Sequence, residues 1–285
     1  MIELARLSRK KAALDCFSQP VIQWFANNGR DFPWRNTKNS YHIFLAEILL
    51  RQTQAERVVG PYLRLIERYP TSEALSRASV GNLRKWFRPL GLVRRADQLI
   101  SGTKLIMSKH GGLIPRSLDA LLTLPGLGEY SARAVACLAF GAKVPMIDES
   151  SGRLLRRVFN LEPRGPAYCD RQLLEIAEAL IPAENARGFN LGLLDIASAY
   201  CHHNTPNCLD CPIGKICSYS LNCTSVAEKT PSKLQSSRRS ARINVFKQHP
   251  RALHKSSQER DTRLNLLHLE TEFRNTYARF LFTIL

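Results

Sequence analysis

The feature that most constrains the fold is a series of short segments with helical periodicity, each bounded by Gly, Pro or Ser. In the run 41–57, five apolar residues between Ile43 and Leu50 can share one helix face, and Ser40 is a candidate N-cap. Sustained alternation of apolar and polar residues, which is typical of strands, is almost absent. We therefore predict an all-α fold. A first helix within residues 1–20 should end near Pro20, and further helices are predicted at 61–69, 72–77, 79–88, 94–109, 118–124, 130–140, 150–159, 169–181 and 189–200.

The charge of the chain indicates the kind of partner. Its 285 residues include 41 Lys and Arg against 24 Asp and Glu, a formal net charge of +17. Such an excess favours a polyanionic partner, most simply nucleic acid, although a merely basic soluble protein is the alternative. No window approaches the ~18–20 apolar residues that a membrane span requires. The N-terminus also lacks a signal-peptide core, so we expect an intracellular protein in the cytoplasm or nucleoid, or in the nucleus if eukaryotic.

Four of the eight cysteines form one constellation, Cys201-x6-Cys208-x2-Cys211-x5-Cys217. Four thiolates suit either tetrahedral zinc or an iron–sulfur cluster. Zinc sites more often pair two short knuckles, whereas this loop has one close pair, so the spacing favours a 4Fe–4S cluster over zinc or unrelated buried thiols. Lys215 lies inside the loop, where it can present positive charge to phosphates.

A glycine-containing turn separates two of the predicted helices. The stretch Leu124-Pro-Gly-Leu-Gly128 places glycines at 126 and 128, which let the backbone approach a ligand closely. Because a helix begins just after it, the turn is suited to bind an anion such as a DNA phosphate. The alternative is an ordinary tight turn between helices.

Two carboxylates occupy positions that suit chemistry. Asp148 directly precedes the predicted helix 150–159, where a helix N-terminus stabilises an anion, although an ordinary N-cap is the simpler interpretation. Glu47 lies on an apolar helix face, where a glutamate is costly unless it is paired, hydrated or functional. A partly exposed helix glutamate is the alternative for that position.

In combination, these features resemble the helix–hairpin–helix DNA glycosylases of the endonuclease III and MutY superfamily. The matching order is the stretch 47–53, the hairpin 124–128, Asp148 followed by Arg153 and Arg157, and the four-cysteine loop. The resemblance covers roughly 20–223. It implies two helical lobes with DNA in the cleft between them. The implied parts are an N-terminal arm at 1–40, a six-helix barrel with the hairpin at 41–148, an iron–sulfur cluster domain at 149–224, and a basic, largely flexible tail at 225–285 that can include a helix at 264–285.

One position divides the chemistry of this superfamily. Two residues after the second hairpin glycine, endonuclease III has a lysine that attacks the sugar, whereas this chain has Tyr130. A tyrosine cannot form a Schiff base, so the resemblance implies a monofunctional enzyme. Adenine glycosylases usually have serine there, and the thymine–guanine mismatch glycosylases have tyrosine. The stretch Gly91–Arg95 and the short region after Cys223 also differ from adenine glycosylases.

The implied function is the removal of thymine or uracil opposite guanine, by a monomer acting on mismatched double-stranded DNA. By resemblance, Asp148 stabilises the positive sugar, Glu47 and Tyr130 contact the flipped base, and Gln52 fills the gap in the duplex. Glu149 and Gly152 depart from the family pattern, since one adds a second anion and the other weakens the helix start. The alternatives are an adenine glycosylase acting on mispaired adenine and a catalytically silent iron–sulfur DNA-binding protein. The residues expected to hold DNA phosphates are Gly126, Gly128, Arg153, Arg157 and Lys215.

Overall fold

A computed structural model describes residues 2–88, 91 and 93–222, with only the backbone described for residues 2–14. Within these ranges the chain forms helices and short 3₁₀ turns and no strand, as predicted. The predicted tail 225–285, its helix at 264–285 and Cys223 lie outside the described residues. The helices are α1 Ile2–Asn28, α2 Ser40–Leu50, α3 Ala55–Arg68, α4 Ser72–Ser76, α5 Val80–Phe87, α6 Val93–His110, α7 Leu118–Leu122, α8 Glu129–Phe140, α9 Glu149–Phe159, α10 Arg171–Leu180 and α11 Ala186–Ala199.

The first helix does not end near Pro20, and that prediction is wrong. Helix α1 continues through the proline to Asn28. An internal proline removes a backbone hydrogen bond and costs about 3 kcal/mol, so packing must offset it. Phe17 and Val21 are fully buried beside the proline. A Cβ on Gly192 of α11 would lie 2.8 Å from the Val21 carbonyl oxygen, so α1 and α11 approach each other closely.

The predicted helical run 41–57 contains two helices and a turn. Helix α2 ends at Leu50 and α3 begins at Ala55. The N-cap of α2 is Asn39 rather than the predicted Ser40, because the Asn39 side chain accepts hydrogen bonds from the backbone N–H groups of Tyr41 and His42. Asparagine and serine cap helices about equally well, so the sequence pattern alone does not separate these neighbours.

Two helices are central to the packing. Helix α2 packs against α3, α6 and α8, while α4 and α5 pack on α6, and α7 packs on α8. Helix α11 packs against α1 and α9 and also contacts α8, and α10 packs against α1 and α9. Both α2 and α11 are buried along most of their length, so polar side chains on them are enclosed by protein. No helix of the described chain is long and apolar enough to cross a membrane.

Candidate active site

The three residues predicted to be catalytic line a single cavity of about 500 Å³. Glu47 reaches it from α2, Tyr130 from the first turn of α8, and Asp148 from the residue before α9. Gln52, the predicted wedge, lines the same cavity from the turn between α2 and α3. Residues 101 positions apart in sequence therefore meet here because α2, α8 and the start of α9 converge.

Asp148 is the N-cap of α9 and also faces the cavity. Its Oδ1 accepts hydrogen bonds from the backbone N–H of Ser151 at 2.7 Å and from the Ser151 hydroxyl at 2.8 Å. The Asp148 N–H donates in return to the Ser151 hydroxyl oxygen at 2.9 Å, which completes a capping box. No group among the described residues donates a hydrogen bond to Oδ2. One carboxylate oxygen is thus anchored while the other is left for a ligand.

The chain segment before Asp148 is held by a buried asparagine. Asn190 of α11 is fully buried, and its Oδ1 accepts a hydrogen bond from the Met146 N–H at 2.9 Å. Its Nδ2 donates to the carbonyl oxygens of Val144 and Ala186, both at 3.0 Å. Sequence analysis missed Asn190, although an amide between apolar residues on a buried helix was the available signal. The Asn190 amide thus supplies the hydrogen-bond partners of the Met146 N–H and the Val144 carbonyl oxygen, and it fixes the direction from which Asp148 enters the cavity.

Glu149 and Gly152, the two residues beside Asp148 that depart from the family pattern, each have a local structural reason. The Glu149 carboxylate accepts a hydrogen bond from the Ala167 N–H at 2.9 Å, and Glu149 is not among the described residues that line the cavity. The expected second anion is therefore bound to the short 3₁₀ turn Ala167–Cys169. A Cβ on Gly152 would lie 2.3 Å from the Ala167 Cβ, so glycine is what allows α9 to pack against that turn.

Glu47 is buried, with 4% of its surface exposed, so the alternative of a partly exposed glutamate is wrong. Burial raises the pKa of its carboxyl group from 4.5 to about 8, against the opposing effects of the Arg35 charge and a hydrogen bond with the Ser131 side chain. Most molecules therefore carry a protonated Glu47 at neutral pH. A protonated carboxyl group can donate a hydrogen bond to a base.

Tyr130 is electrostatically linked to both carboxylates. Burial raises the pKa of its phenol well above the ordinary value, and the carboxylates of Glu47 and Asp148 add to that rise. Arg35 and Arg30 act in the opposite direction but do not cancel it. The phenol is therefore neutral at physiological pH and available as a hydrogen-bond donor.

A cluster centred on Asp195 was missed by sequence analysis. Arg35 binds the buried Asp195 carboxylate through two nitrogens, at 2.7 and 3.0 Å, and Arg30 Nε binds it at 2.7 Å. Burial works to raise the pKa of Asp195, but the hydrogen bonds and charges of Arg35 and Arg30 outweigh it and hold the pKa below its ordinary value. Phe32 and Trp34 stack with ring centroids 5.0 Å apart. The two arginines and two aromatic residues line the cavity, and the charged aromatic stretch 30–35 was the signal that could have found them.

The two hairpin glycines differ in how strongly their surroundings require a glycine. Gly126 has φ +94°, and a Cβ there would also lie 3.1 Å from the Gln98 Cβ. Gly128 is the N-cap of α8, and a Cβ there would meet nothing within 4 Å. The first glycine is therefore dictated by backbone conformation and packing, whereas the second leaves open space at a helix N-terminus, and its contact with a DNA phosphate stays a prediction.

The four cysteines of the predicted cluster line one small cavity beside α9. Burial raises the pKa of Cys211 to about 11, and the neighbouring thiols of Cys217, Cys201 and Cys208 add to that rise. In the part of the chain that the structure describes, no three His, Cys, Asp or Glu side chains are arranged to hold a single metal ion. The four thiols are thus gathered in one place without the geometry of a mononuclear site.

Arg153 and Arg157 both bind the cysteine loop. Arg153 Nε donates to the Cys201 carbonyl oxygen at 2.9 Å. Arg157 donates to the His202 and His203 carbonyl oxygens at 2.7 and 2.9 Å and lies 3.3 Å from Cys201 Sγ. Lys215 is exposed on the short turn Gly214–Ile216. The contacts of these three residues with DNA phosphates stay predictions, and the two arginines already have a role in holding the loop.

Comparison with known proteins identifies the family. A profile of the HhH-GPD superfamily base excision DNA repair proteins matches residues 45–179. The chain is 36% identical over 209 residues to the thymine/uracil-DNA glycosylase of Methanothermobacter thermautotrophicus, a match that covers 73% of this chain and 95% of that protein. It is 34% identical over 194 residues to the adenine DNA glycosylase of Mycolicibacterium smegmatis, covering 68% of this chain and 66% of that protein. The solved structure of a thermostable thymine-DNA glycosylase matches with a TM-score of 0.67 and 34% identity, covering 74% of this chain and 98% of that chain. The predicted family is confirmed, and the chain belongs to the HhH-GPD superfamily of base excision DNA repair proteins.

Proposed function

We propose that this DNA glycosylase is monofunctional and removes thymine or uracil mispaired with guanine in double-stranded DNA. The observation that carries the proposal is that Glu47, Tyr130 and Asp148 line one cavity, and that no lysine is among the described residues lining it. Without an amine there, a Schiff base with the sugar has no nucleophile. The 36% identity with a thymine/uracil-DNA glycosylase supports the choice of base.

The reaction begins with extrusion of the target nucleotide. The sugar carbon is shielded inside a duplex, so the nucleotide must leave the stack, and a mispaired base costs least to extrude. The cavity of about 500 Å³ is the space that receives it. Exposed Gln52 stands on the wall of this cavity and fills the position that the nucleotide leaves in the duplex.

Bond cleavage relies on Asp148. The C1′–N bond breaks with its electron pair leaving on the base, so positive charge develops on the sugar. The Asp148 carboxylate, oriented by Ser151 through Oδ1, stabilises that charge electrostatically and orients the water whose oxygen bonds to C1′. The proton released by the water balances the one that the departing base takes up.

The departing base is recognised by two neutral donors. Protonated Glu47 hydrogen-bonds the base and assists its departure, since a carboxyl group with a pKa of about 8 can donate at neutral pH. The neutral phenol of Tyr130 hydrogen-bonds or stacks on the pyrimidine. Both groups suit a base that leaves with a growing negative charge.

We further propose that Cys201, Cys208, Cys211 and Cys217 hold a 4Fe–4S cluster. The donor set supports this, because all four thiols line one cavity and no His, Asp or Glu is among the described residues that line it. A cubane binds each thiolate to a different iron, so its cysteines need not surround a single ion. When bound, the cluster supplies structural support, and hydrolysis needs no electron transfer. Arg153 and Arg157 hold the same loop against α9.

The helix contacts support the domain arrangement that we propose for the chain. The region 41–148, assigned to the six-helix barrel, holds the seven helices α2 to α8, of which α4 and α7 have only five residues each, and α9 to α11 with α1 are assigned to the cluster domain. The DNA of a monomeric complex would lie across the cleft between the two lobes, near the cavity. Its phosphates would meet the hairpin glycines, Lys215 and the α9 arginines.

The proposed function is tested by base release from T·G, U·G and A·G duplexes under single-turnover conditions. Release of thymine and uracil without release of adenine is the expected result. Release of adenine alone would favour the adenine glycosylase alternative. Tight binding of every duplex without any base release would instead support a catalytically silent DNA-binding protein.

A further inference from the structure

The turn between α2 and α3 is held in an unusual backbone conformation. Gln52 has φ +53°, and Asn160 is the other non-glycine residue with positive φ in the described part of the chain. This left-handed region is disfavoured for residues with a Cβ, so it persists only where neighbouring groups impose it, and such positions cluster at functional sites. Gln52 is exposed and lines the cavity, which makes its conformation relevant to the reaction.

A side chain from α6 holds this turn on both sides of Gln52. Arg95 Nη2 donates to the Arg51 carbonyl oxygen, and Arg95 Nη1 donates to the Thr53 hydroxyl oxygen at 3.3 Å. The Thr53 hydroxyl donates in turn to the Arg51 carbonyl oxygen at 3.2 Å. Arg95 is partly buried and is not among the described residues that line the cavity, so any effect on the reaction passes through the turn.

The same turn is also tied to the hairpin. Arg51 Nη1 donates to the Gly126 carbonyl oxygen at 3.0 Å. The guanidinium groups of Arg51 and Arg95 are near enough that the Arg51 charge, in addition to burial, lowers the pKa of Arg95. The position of Gln52 is therefore set by two anchors, one from α6 and one to the hairpin.

We propose that Arg95 is a positioning residue that pre-organises Gln52 to replace the extruded nucleotide in the DNA stack. The inference rests on the proposed function and adds the residue that acts through the wedge. A turn that is already ordered loses less conformational freedom when DNA binds. A pre-ordered turn should speed base release only from a duplex, because a single-stranded target leaves no gap for Gln52 to fill.

The test compares Arg95→Ala with Arg94→Ala, an exposed neighbour on the same helix that carries the same charge. Base release is measured in single turnovers, at saturating enzyme, from a U·G duplex and from a single-stranded uracil oligonucleotide. Loss of a charged hydrogen-bond donor should slow release from the duplex by about tenfold or more in Arg95→Ala. Release from the single strand should stay within about twofold, and Arg94→Ala should leave the ratio of the two rates unchanged.

A double-mutant cycle tests whether Arg95 acts through Gln52. In a Gln52→Ala background, adding Arg95→Ala should change release from the duplex by less than about twofold, because residues in one network are not additive. Arg95→Lys keeps the charge but not the forked donor, so its rate of base release from the duplex should lie between those of wild type and Arg95→Ala. This variant replaces Arg95→Ala in the test if Arg95→Ala fails to fold.

Equal losses on duplex and single strand, or additive effects with Gln52→Ala, would overturn the role of Arg95. A wild-type protein that releases no base from either substrate would overturn the proposed function instead. In that case the fluorescence of 2-aminopurine placed beside the mismatch decides the role of Arg95 in extrusion. Equal fluorescence in wild type and Arg95→Ala would then reject it, and a smaller signal in the variant would support it.

Discussion

The buried carboxyl group of Glu47 makes the stability of this protein depend on pH in a defined direction. Its pKa is about 8 in the folded protein against an ordinary value of 4.5. Between these values the folded protein holds a proton that the unfolded chain has lost. Stability from this site is therefore fully present below pH 4.5 and is lost as pH rises through 8. Glu47→Gln removes the titration while keeping a neutral side chain of similar shape.

The size of the effect follows from the separation of the two pKa values. Each pKa unit corresponds to about 1.4 kcal/mol, so the contribution of Glu47 falls by about 4 kcal/mol between pH 5 and pH 9. The free energy of unfolding of Glu47→Gln, minus that of wild type, should rise by the same about 4 kcal/mol over that interval. At pH 9 the variant should be the more stable protein, although it has lost a residue of the proposed active site.

The measurement is urea unfolding of both proteins at pH 5, 7 and 9. Glu67→Gln makes the same chemical change on the exposed face of α3 and is the matched control. Infrared difference spectra of wild type and Glu47→Gln follow the same carboxyl group without unfolding. If the unfolding free energy of Glu47→Gln minus that of wild type is constant with pH, or falls as pH rises, the conclusion that burial raises the pKa of Glu47 is refuted.

The remaining predictions concern the reaction and the packing of α9. Asp148→Asn should retain mismatch binding and helix capping, because asparagine caps as well as aspartate, yet slow base release by about a hundredfold or more; release at the wild-type rate would contradict the assigned role. Wild-type protein incubated with borohydride and a mismatched duplex should give no covalent adduct on a denaturing gel, whereas efficient trapping would indicate an amine nucleophile despite Tyr130. Gly152→Ala should lower the free energy of unfolding by about 1–3 kcal/mol, because its Cβ would lie 2.3 Å from the Ala167 Cβ. Gly81→Ala in α5, where the nearest atom to the new Cβ is the Ser79 hydroxyl oxygen at 3.6 Å, should instead be neutral or stabilising by up to about 1 kcal/mol, and thermal unfolding of the pair separates packing from helix propensity.

Local sequence patterns singled out two of the residues that line the cavity, and the family resemblance added the third. Glu47 was identified because a carboxyl group interrupts an apolar helix face, and Asp148 because it precedes a helix. The hairpin glycines indicated the start of α8, and the resemblance then singled out Tyr130, two residues after the second glycine. Each local pattern is contained within a few residues, but the roles assigned to these residues came from the order of the motifs along the chain.

Features that depend on packing between distant segments could not be found in the same way. Arg30 and Asp195 are 165 residues apart, and neither side chain predicts the other from its neighbours. The extension of α1 through Pro20 depends on burial of Phe17 and Val21, which local propensity does not include. Tertiary contacts therefore decided the cases in which local rules failed.

The missed cluster also supplies the charge that opposes protonation of Glu47. Arg35 lies close enough to Glu47 to lower its pKa, and an unpaired guanidinium there would favour the ionised carboxylate. Asp195 binds Arg35 through both of its oxygens, but it shares its single negative charge with Arg30, so the charge of Arg35 is only partly offset. Burial of Glu47 nevertheless outweighs the effect of Arg35, and the carboxyl group keeps its proton. The arginine that acts on this α2 carboxyl group is thus held in place by a carboxylate of α11 that no sequence motif connects with it.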